Sequence, residues 1–382
     1  MSDQVYKSMS FANPHPPHLD FAQKMASGLA GLGLLILFLS LFDLFDAHQL
    51  LTLVTSLTLI SVGVIWFSYR AFKLKPAGIS NNGVMFSSLT NRGTWAWVSG
   101  IVITAFYVLL YWYPSLLGQA QGDQSNSGII ALFDPLSQLL KNEPASQWFV
   151  YGTLYTLAIL LFGIRFIWKY RHNKYQVLRS LSVMFFQLAF AFLIPEFMQR
   201  LNYPYNDMKN MWPLNYYFFH GWNIKAFLAS GNVGLFMLVF GVLMIFVISP
   251  ILTYYFGKRW YCSWVCGCGG LAETAGDPFR HLSDKSLRAW QIERWLIHSV
   301  LVCVFVMTVA VIYSFFHNNP SSFSLNKTYF IIILSVVVGG LNYLVWFADG
   351  FKSKIDRTAL IIFSAVSSLV LFLALISYIT GS

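Results

Sequence analysis

The chain has 382 residues, of which 57% are hydrophobic and 10% charged, and its formal net charge is +10. Soluble domains carry about 25% charged residues, so this composition excludes an ordinary soluble protein. No basic stretch is typical of a nucleic-acid-binding arm, and basic cytoplasmic loops beside anionic lipid headgroups explain the positive charge better. We therefore predict an all-α, polytopic integral membrane protein in a lipid bilayer, without a nucleic-acid partner.

The apolar residues occur in runs of about 20, the length that crosses a hydrocarbon core. Residues 1–25 are polar and are predicted to form a cytoplasmic N-terminal tail. We predict nine transmembrane helices after it, with boundaries accurate to about four residues: 26–46, 50–70, 95–114, 149–168, 177–198, 232–256, 295–316, 328–348 and 358–379. Residues 26–256 thus hold six spans and residues 295–382 hold three, with no separate soluble domain.

The distribution of lysine and arginine predicts the orientation. With the N-terminus in the cytoplasm, only five of the 25 basic residues fall on the opposite side: Lys141, Arg200, Lys209, Lys225 and Lys327. The remaining 20 lie in the tail, at span ends or in the cytoplasmic loops, as the positive-inside rule requires. This bias predicts a C-terminus on the far side, in a membrane of the bacterial inner (cytoplasmic) type.

Two loops on the predicted far side are long, residues 115–148 and residues 199–231. The second is rich in Tyr, Trp, Phe, Asn and Pro, and we expect it to form an ordered cap in the membrane interface. Glu196 lies just before this cap, and an ionisable residue inside a span indicates function. The candidate quinone and proton site is built from four residues: Glu196, Tyr217, His220 and Trp222. The alternative is an interfacial carboxylate paired with Arg200 at position i+4.

Residues 257–294 form a predicted cytoplasmic loop that contains three of the four cysteines. Cys262, Cys266 and Cys268 have the spacing C-x3-C-x-C, which is typical of metal ligation and too tight for disulfide pairing. We expect a helix that continues from the sixth span to bring the first two onto one face. Three glycines are then expected to interrupt that helix: Gly267, Gly269 and Gly270.

Thiolate ligands favour an iron–sulfur cluster, zinc or Cu(I), and three reduced structural cysteines are the alternative. A tetrahedral zinc or a cubane cluster takes four protein ligands, whereas the loop supplies three. The candidates for the fourth ligand are Cys303, His281 and a residue of a partner subunit. Cys303 lies about 12 Å into the seventh span at the rise of an α-helix, so it can join only if the cysteine loop dips inward. Its alternative role is a small buried hydrophobe.

The stretch GKRWYCSWVCGCGG resembles the C-x3-C-P segment of membrane-bound iron–sulfur proteins of the NapH/NosR type. Lys258 to Cys262, Trp264 and Cys266 carry the resemblance, which covers about fifteen residues and the surrounding span-loop-span arrangement. It implies a 4Fe–4S cluster and electron transfer between quinol and redox partners. Gly267 stands where that family has proline, an additional Cys268 follows, and the ferredoxin-type C-x2-C-x2-C-x3-C runs of that family are absent.

We therefore predict a membrane-embedded electron-transfer subunit of an oxidoreductase complex rather than a complete enzyme. It would exchange electrons with membrane or cytoplasmic redox subunits, with quinone as a candidate carrier. The alternative is a transporter or scaffold whose cysteine loop is a structural zinc site or holds no metal. The sequence lacks the internal repeats that transporters usually show, and it has no nucleotide-binding fingerprint.

Overall fold

The structure, a computed structural model, describes residues 19–45, 48–74, 94–120, 125–209, 215, 217–257, 259–277, 286–318, 327–347 and 357–380. Every regular element among these residues is helical. The α-helices, in chain order, are α1 Phe21–Leu39, α2 Gln49–Ser68, α3 Thr94–Trp112, α4 Gly128–Leu132, α5 Asp134–Lys141, α6 Gln147–Lys169, α7 Lys174–Phe185, α8 Ile194–Arg200, α9 Gly221–Ala229, α10 Gly231–Leu243, α11 Ser249–Phe256, α12 Trp260–Trp264, α13 Gly267–Thr274, α14 Leu287–Asn318, α15 Lys327–Phe347 and α16 Arg357–Thr380.

The prediction of an all-α polytopic membrane protein is confirmed. Eight helical segments of the described chain are long and apolar enough to span a membrane: Phe21–Phe42, Gln49–Lys73, Gln147–Lys169, Lys174–Arg200, Gly231–Phe256, Leu287–Ser314, Lys327–Leu344 and Leu360–Thr380. The remaining predicted span coincides with α3, whose apolar part, Gly100–Trp112, is shorter than the others. The orientation across the membrane stays a prediction.

Several helix starts are visible in the sequence as capping residues. The side chain of Asp20 accepts a hydrogen bond from the backbone N–H of Gln23, and the Gln23 side chain accepts one from the N–H of Asp20. The side chains of Ser146 and Asn173 likewise accept backbone hydrogen bonds at the starts of α6 and α7. Each cap satisfies backbone donors that the first turn of a helix leaves without partners.

The first two helices pack closely because small residues line their contact. A Cβ atom at Gly33 would lie 2.7 Å from the carbonyl oxygen of Ser56, and one at Gly63 would lie 2.7 Å from that of Ala26. Small residues at such positions let helix backbones approach one another, as is common between transmembrane helices. The arrangement fixes α1 against α2 next to the core of the larger unit.

The described residues divide into two compact units, residues 19–277 and residues 286–380. The core of the larger unit is centred on α6, where Phe149 and Val150 are buried, and includes Ile130 of α4 and Phe133, which precedes α5. The smaller unit consists of α14, α15 and α16, which share an apolar core of their own. Both units expose many large apolar side chains, as expected of surfaces that face lipid.

The fifth span is not a uniform α-helix. Between α7 and α8 the chain forms a π-helical segment, Phe186–Leu193, and the whole stretch remains one continuous span from Lys174 to Arg200. Gln187, a buried polar residue, lies in this segment. π-helical segments often occur at functional sites because they displace side chains from the regular helical register. The same region of the span contacts the cysteine-containing segment.

Candidate metal centre

The sixth span ends before the cysteines. Helix α11 ends at Phe256, and Gly257 has φ of +80°, a conformation that favours glycine. Cys262 then lies in α12, Cys266 precedes α13 as its N-cap, and Cys268 lies in the first turn of α13. The expected continuation of the span as one helix through the first two cysteines is therefore wrong. The helix ends before Gly257, and the chain turns again between α12 and α13.

The glycines of this segment allow close packing and do not interrupt a helix as expected. Gly267, Gly269 and Gly270 all lie within α13. A Cβ atom at Gly267 would lie 2.5 Å from Oε1 of Gln187, and one at Gly269 would overlap the carbonyl oxygen of Cys262. Their missing side chains let the backbone around the cysteines pack directly against α12 and the fifth span.

Residues 266–268, which we call the cysteine turn, lie beside the middle of α6. A Cβ atom at Gly267 would lie 2.9 Å from Cδ1 of Ile159 and 3.0 Å from Cε1 of Tyr155. Tyr155 lies about 12 Å from the first residue of α6, and Ile159 about 15 Å from the last, at the rise of an α-helix. Because a hydrocarbon core is about 30 Å thick, the turn lies near mid-depth of the predicted span. The segment dips into the bundle, whereas a loop at the surface was expected.

The other end of α13 is held by ionic contacts with the predicted cytoplasmic ends of α6 and α7. Asp277 is 1% exposed, forms an ion pair with Lys169 and accepts a hydrogen bond of 2.8 Å from the hydroxyl of Tyr170. Glu273 pairs with Arg179. The two acidic residues therefore fix the position of α13 and do not face the cysteines.

Two thiols meet at the cysteine turn. The side chains of Cys266 and Cys268 interact with one another, and the ammonium of Lys209 interacts electrostatically with Cys268. Positive charge near a thiol favours the thiolate, which is the form that binds a metal.

Cys262 is not part of this pair. Its backbone contacts α13 at Gly269, and its side chain, like that of Cys268, is exposed. In the part of the chain that the structure describes, no group of three or more His, Cys, Asp and Glu side chains is arranged to hold a metal ion. Cys303 lies exposed in α14 of the smaller unit, and His281 lies outside the described residues. The assignment of the third and fourth ligands stays a prediction.

A cavity of about 460 Å³ opens beside the cysteine turn. Its volume lies in the range of roughly 300 to 1,000 Å³ that is typical of small-molecule sites. Besides Cys266, Gly267 and Cys268, it is lined by aromatic and polar side chains: Trp148, Phe149, Tyr151, Tyr155, Tyr205, Lys141, Ser146, Gln187, Glu196, Gln199, Asp207 and Lys209. The cavity connects the cysteine turn with the far ends of α6 and the fifth span.

Sequence reasoning found one of the buried polar groups of this cavity, Glu196. Its partner is Lys141 of α5, with 3.8 Å between Nζ and Oε2, and not Arg200, which donates to the carbonyl oxygen of Leu139. Both members of the pair are buried. Oε2 of Glu196 has no hydrogen-bond partner among the described residues.

The three other predicted members of the quinone site form a separate aromatic cluster. The ring of Tyr217 lies 5.3 Å from that of His220 and 5.9 Å from that of Trp222. None of the three lines the cavity that contains Glu196, as far as the described residues show. The structure therefore brings Glu196 into the same cavity as the cysteine turn and places these three aromatic residues outside it.

Two residues of the site were missed by sequence reasoning. Lys209 was counted only as a far-side charge, yet its ammonium reaches into the bundle and donates to Oε1 of Gln187 at 2.7 Å. Gln187 was part of an apolar run. The π-helical segment that displaces it could not be recognised from hydropathy, whereas a lysine in an aromatic loop was a visible signal.

A comparison with protein families finds a match to a 4Fe–4S binding domain at residues 238–286. The matched range runs from α10 through all three cysteines of the segment, and it is about an eighth of the chain. Neither the curated proteins nor the solved structures gave a match. The match supports an iron–sulfur protein with a 4Fe–4S cluster in an apolar helical membrane protein, and it gives no support to the zinc alternative.

The chemistry of the cysteine turn is compatible with such a cluster. Cys266 and Cys268 line a cavity, and the buried ammonium group of Lys209 lies near Cys268. Soft thiolates are the ligands that hold iron–sulfur clusters. The described residues thus supply two converging sulfur ligands of the four that a cubane cluster takes.

Proposed function

We propose that the chain is an electron-transfer subunit of a membrane oxidoreductase complex that binds a 4Fe–4S cluster through Cys262, Cys266 and Cys268. The match to a 4Fe–4S binding domain over residues 238–286 is the observation that carries this proposal. Two cysteines that line one cavity together with Lys209, and the resemblance to NapH/NosR-type proteins, support it. A bound cluster supplies one-electron transfer, and the protein supplies ligands, burial and nearby charge.

The fourth ligand is proposed to come from Cys303, from His281 or from a partner subunit. A variant of Cys303 tests this proposal, because Cys303 is the only cysteine of the sequence outside residues 257–294. If it is a ligand, Cys303→Ser will lose iron as the other cysteine variants do. If it is not, this variant will keep the full iron content and serve as the matched control.

The test is metal analysis of protein purified without oxygen in mild detergent. We expect about four iron and four acid-labile sulfide per chain, little zinc and an electron paramagnetic resonance (EPR) signal after reduction with dithionite. Cys266→Ser and Cys268→Ser should lose nearly all of the iron and the signal. Stoichiometric zinc without sulfide, or an unchanged signal in both variants, would refute the proposal.

We further propose that the cavity beside the cysteine turn is where a quinone exchanges electrons with the cluster. Its aromatic walls suit a planar ring, and Lys141, Glu196 and Lys209 supply polar partners. The cavity reaches from the cysteine turn to the far end of the fifth span. On this basis Glu196 is the proton-exchanging group, and the cluster of Tyr217, His220 and Trp222 is not required.

Matched variants distinguish the cavity from the far-side cap. Glu196→Gln should slow reoxidation of the reduced cluster by a soluble quinone analogue at least tenfold, whereas His220→Ala should leave the rate unchanged. The measurement is the decay of the reduced EPR signal after mixing with the analogue. The reverse pattern would move the quinone site to the aromatic cap.

A further inference from the structure

Lys209 carries a charge from the predicted far-side loop into the centre of the larger unit. It follows α8 by nine residues, and its side chain is 9% exposed. Its ammonium donates to Oε1 of Gln187 at 2.7 Å. A buried ammonium at membrane depth is costly unless it has partners or a function, so its place beside the cysteine turn requires an explanation.

One amide group links this ammonium to the cysteine turn. Nε2 of Gln187 donates to Oγ1 of Thr156 at 3.0 Å, which fixes the orientation of the amide and leaves Oε1 for Lys209. Oε1 is also the atom that a Cβ at Gly267 would approach to 2.5 Å. The ammonium therefore binds Oε1 of Gln187, and the same atom packs against the backbone between Cys266 and Cys268.

The other charged groups around the cavity do not replace this charge. Lys141 and Glu196 face one another at 3.8 Å and form a pair at the opposite end of the fifth span from α7. Asp207 accepts the backbone N–H of Lys209 at 3.1 Å and lines the cavity. Lys141 and Lys209 are the two cations among the described residues that line the cavity. Of these, Lys209 donates a hydrogen bond to Gln187, the residue that packs on the cysteine turn.

A neutral donor at position 209 would satisfy Gln187 equally well, so the hydrogen bond alone does not account for a lysine. Thiolate ligands give an iron–sulfur site negative charge, and reduction adds one more negative charge. The reduction potential of a cluster is set in part by net charge and burial, and a nearby cation in a medium of low dielectric constant stabilises the more negative state.

We propose that Lys209 is a positioning residue that holds a positive charge beside a cluster at the cysteine turn and thereby raises its reduction potential. The inference rests on the proposed function, because it requires a cluster at this turn. The charge, and not the shape of the side chain, is the property that matters.

The test is a redox titration of the cluster, followed by EPR, in the full-length protein. Lys209→Met should reduce the equilibrium constant for one-electron reduction at least tenfold, which corresponds to a midpoint potential lower by about 59 mV or more. Lys209→Arg should stay near the wild-type potential because it keeps the charge. Lys225→Met, which removes an exposed lysine from α9 of the same unit, is the matched control and should not change the potential.

Each outcome separates the two proposals. A wild-type protein without iron and sulfide would refute the proposed function itself. A wild-type cluster with an unchanged potential in Lys209→Met would refute only the role of Lys209. If Lys209→Met cannot hold the cluster while Lys209→Arg can, the charge serves to bind the cluster and not to set its potential, and the inference is overturned. Loss of the cluster in both variants would show a role of side-chain shape and overturn it.

Discussion

At the scale of single residues, Cys266 and Cys268 are the two thiols that the structure brings together. Both line the cavity beside α6, and the buried side chain of Lys209 lines it as well. Cys262 lies in α12 and does not line this cavity, as far as the described residues show. The pair of Cys266 and Cys268 is therefore the part of the proposed ligand set that the geometry supports best.

At the scale of elements, the position of α13 depends on the buried ion pair between Asp277 and Lys169. Asp277→Asn keeps the shape of the side chain but leaves the Lys169 ammonium buried without this carboxylate. Breaking one side of a buried pair costs about 3 to 5 kcal/mol, so we expect a clear fall in the midpoint of thermal unfolding and a loss of bound iron. Unfolding of the purified protein in detergent measures the effect.

A matched variant at the same helix tests whether burial is the cause. Glu273 pairs with Arg179, but its side chain is 40% exposed. Because exposed pairs contribute only about 0 to 1 kcal/mol, Glu273→Gln should lower the midpoint much less than Asp277→Asn. Equal effects of the two variants would argue against a special role of the buried pair in holding α13.

The spans could be predicted from the sequence because long apolar runs must form helices in a membrane. The path of the cysteine segment could not. Its position depends on contacts of Gly267 with Tyr155 and Gln187, which lie about 80 to 112 positions earlier in the chain. The cysteine spacing indicated a metal site, but it did not show that Cys266 and Cys268 form the closer pair. Lys209 looked like one more loop charge until its partner was known.

At the scale of the whole molecule, the predicted orientation and the cavity together decide from which side the cysteine turn is reached. The segment enters from the predicted cytoplasmic side. There Arg179 pairs with Glu273 in α13, and Lys169 pairs with Asp277 just after it. The cavity extends from the cysteine turn toward the predicted far side. It is lined near the far ends of the helices by Trp148 and Tyr205, both at least half exposed.

We therefore expect a membrane-impermeant maleimide to label Cys268 in cluster-free protein from the far side and not from the cytoplasmic side. Vesicles of the two opposite orientations give the comparison. The readout is the labelled fraction of Cys268, located by fragmentation of the peptide that also contains Cys262 and Cys266. Reporter fusions after Asn173 and after Asn202 check the orientation independently, because the first should be cytoplasmic and the second should not. Labelling only from the cytoplasmic side, with both fusions as expected, would show that the site opens past α13. Access from the far side would mean that a small carrier can reach the cluster from one side of the membrane while a protein partner binds on the cytoplasmic side.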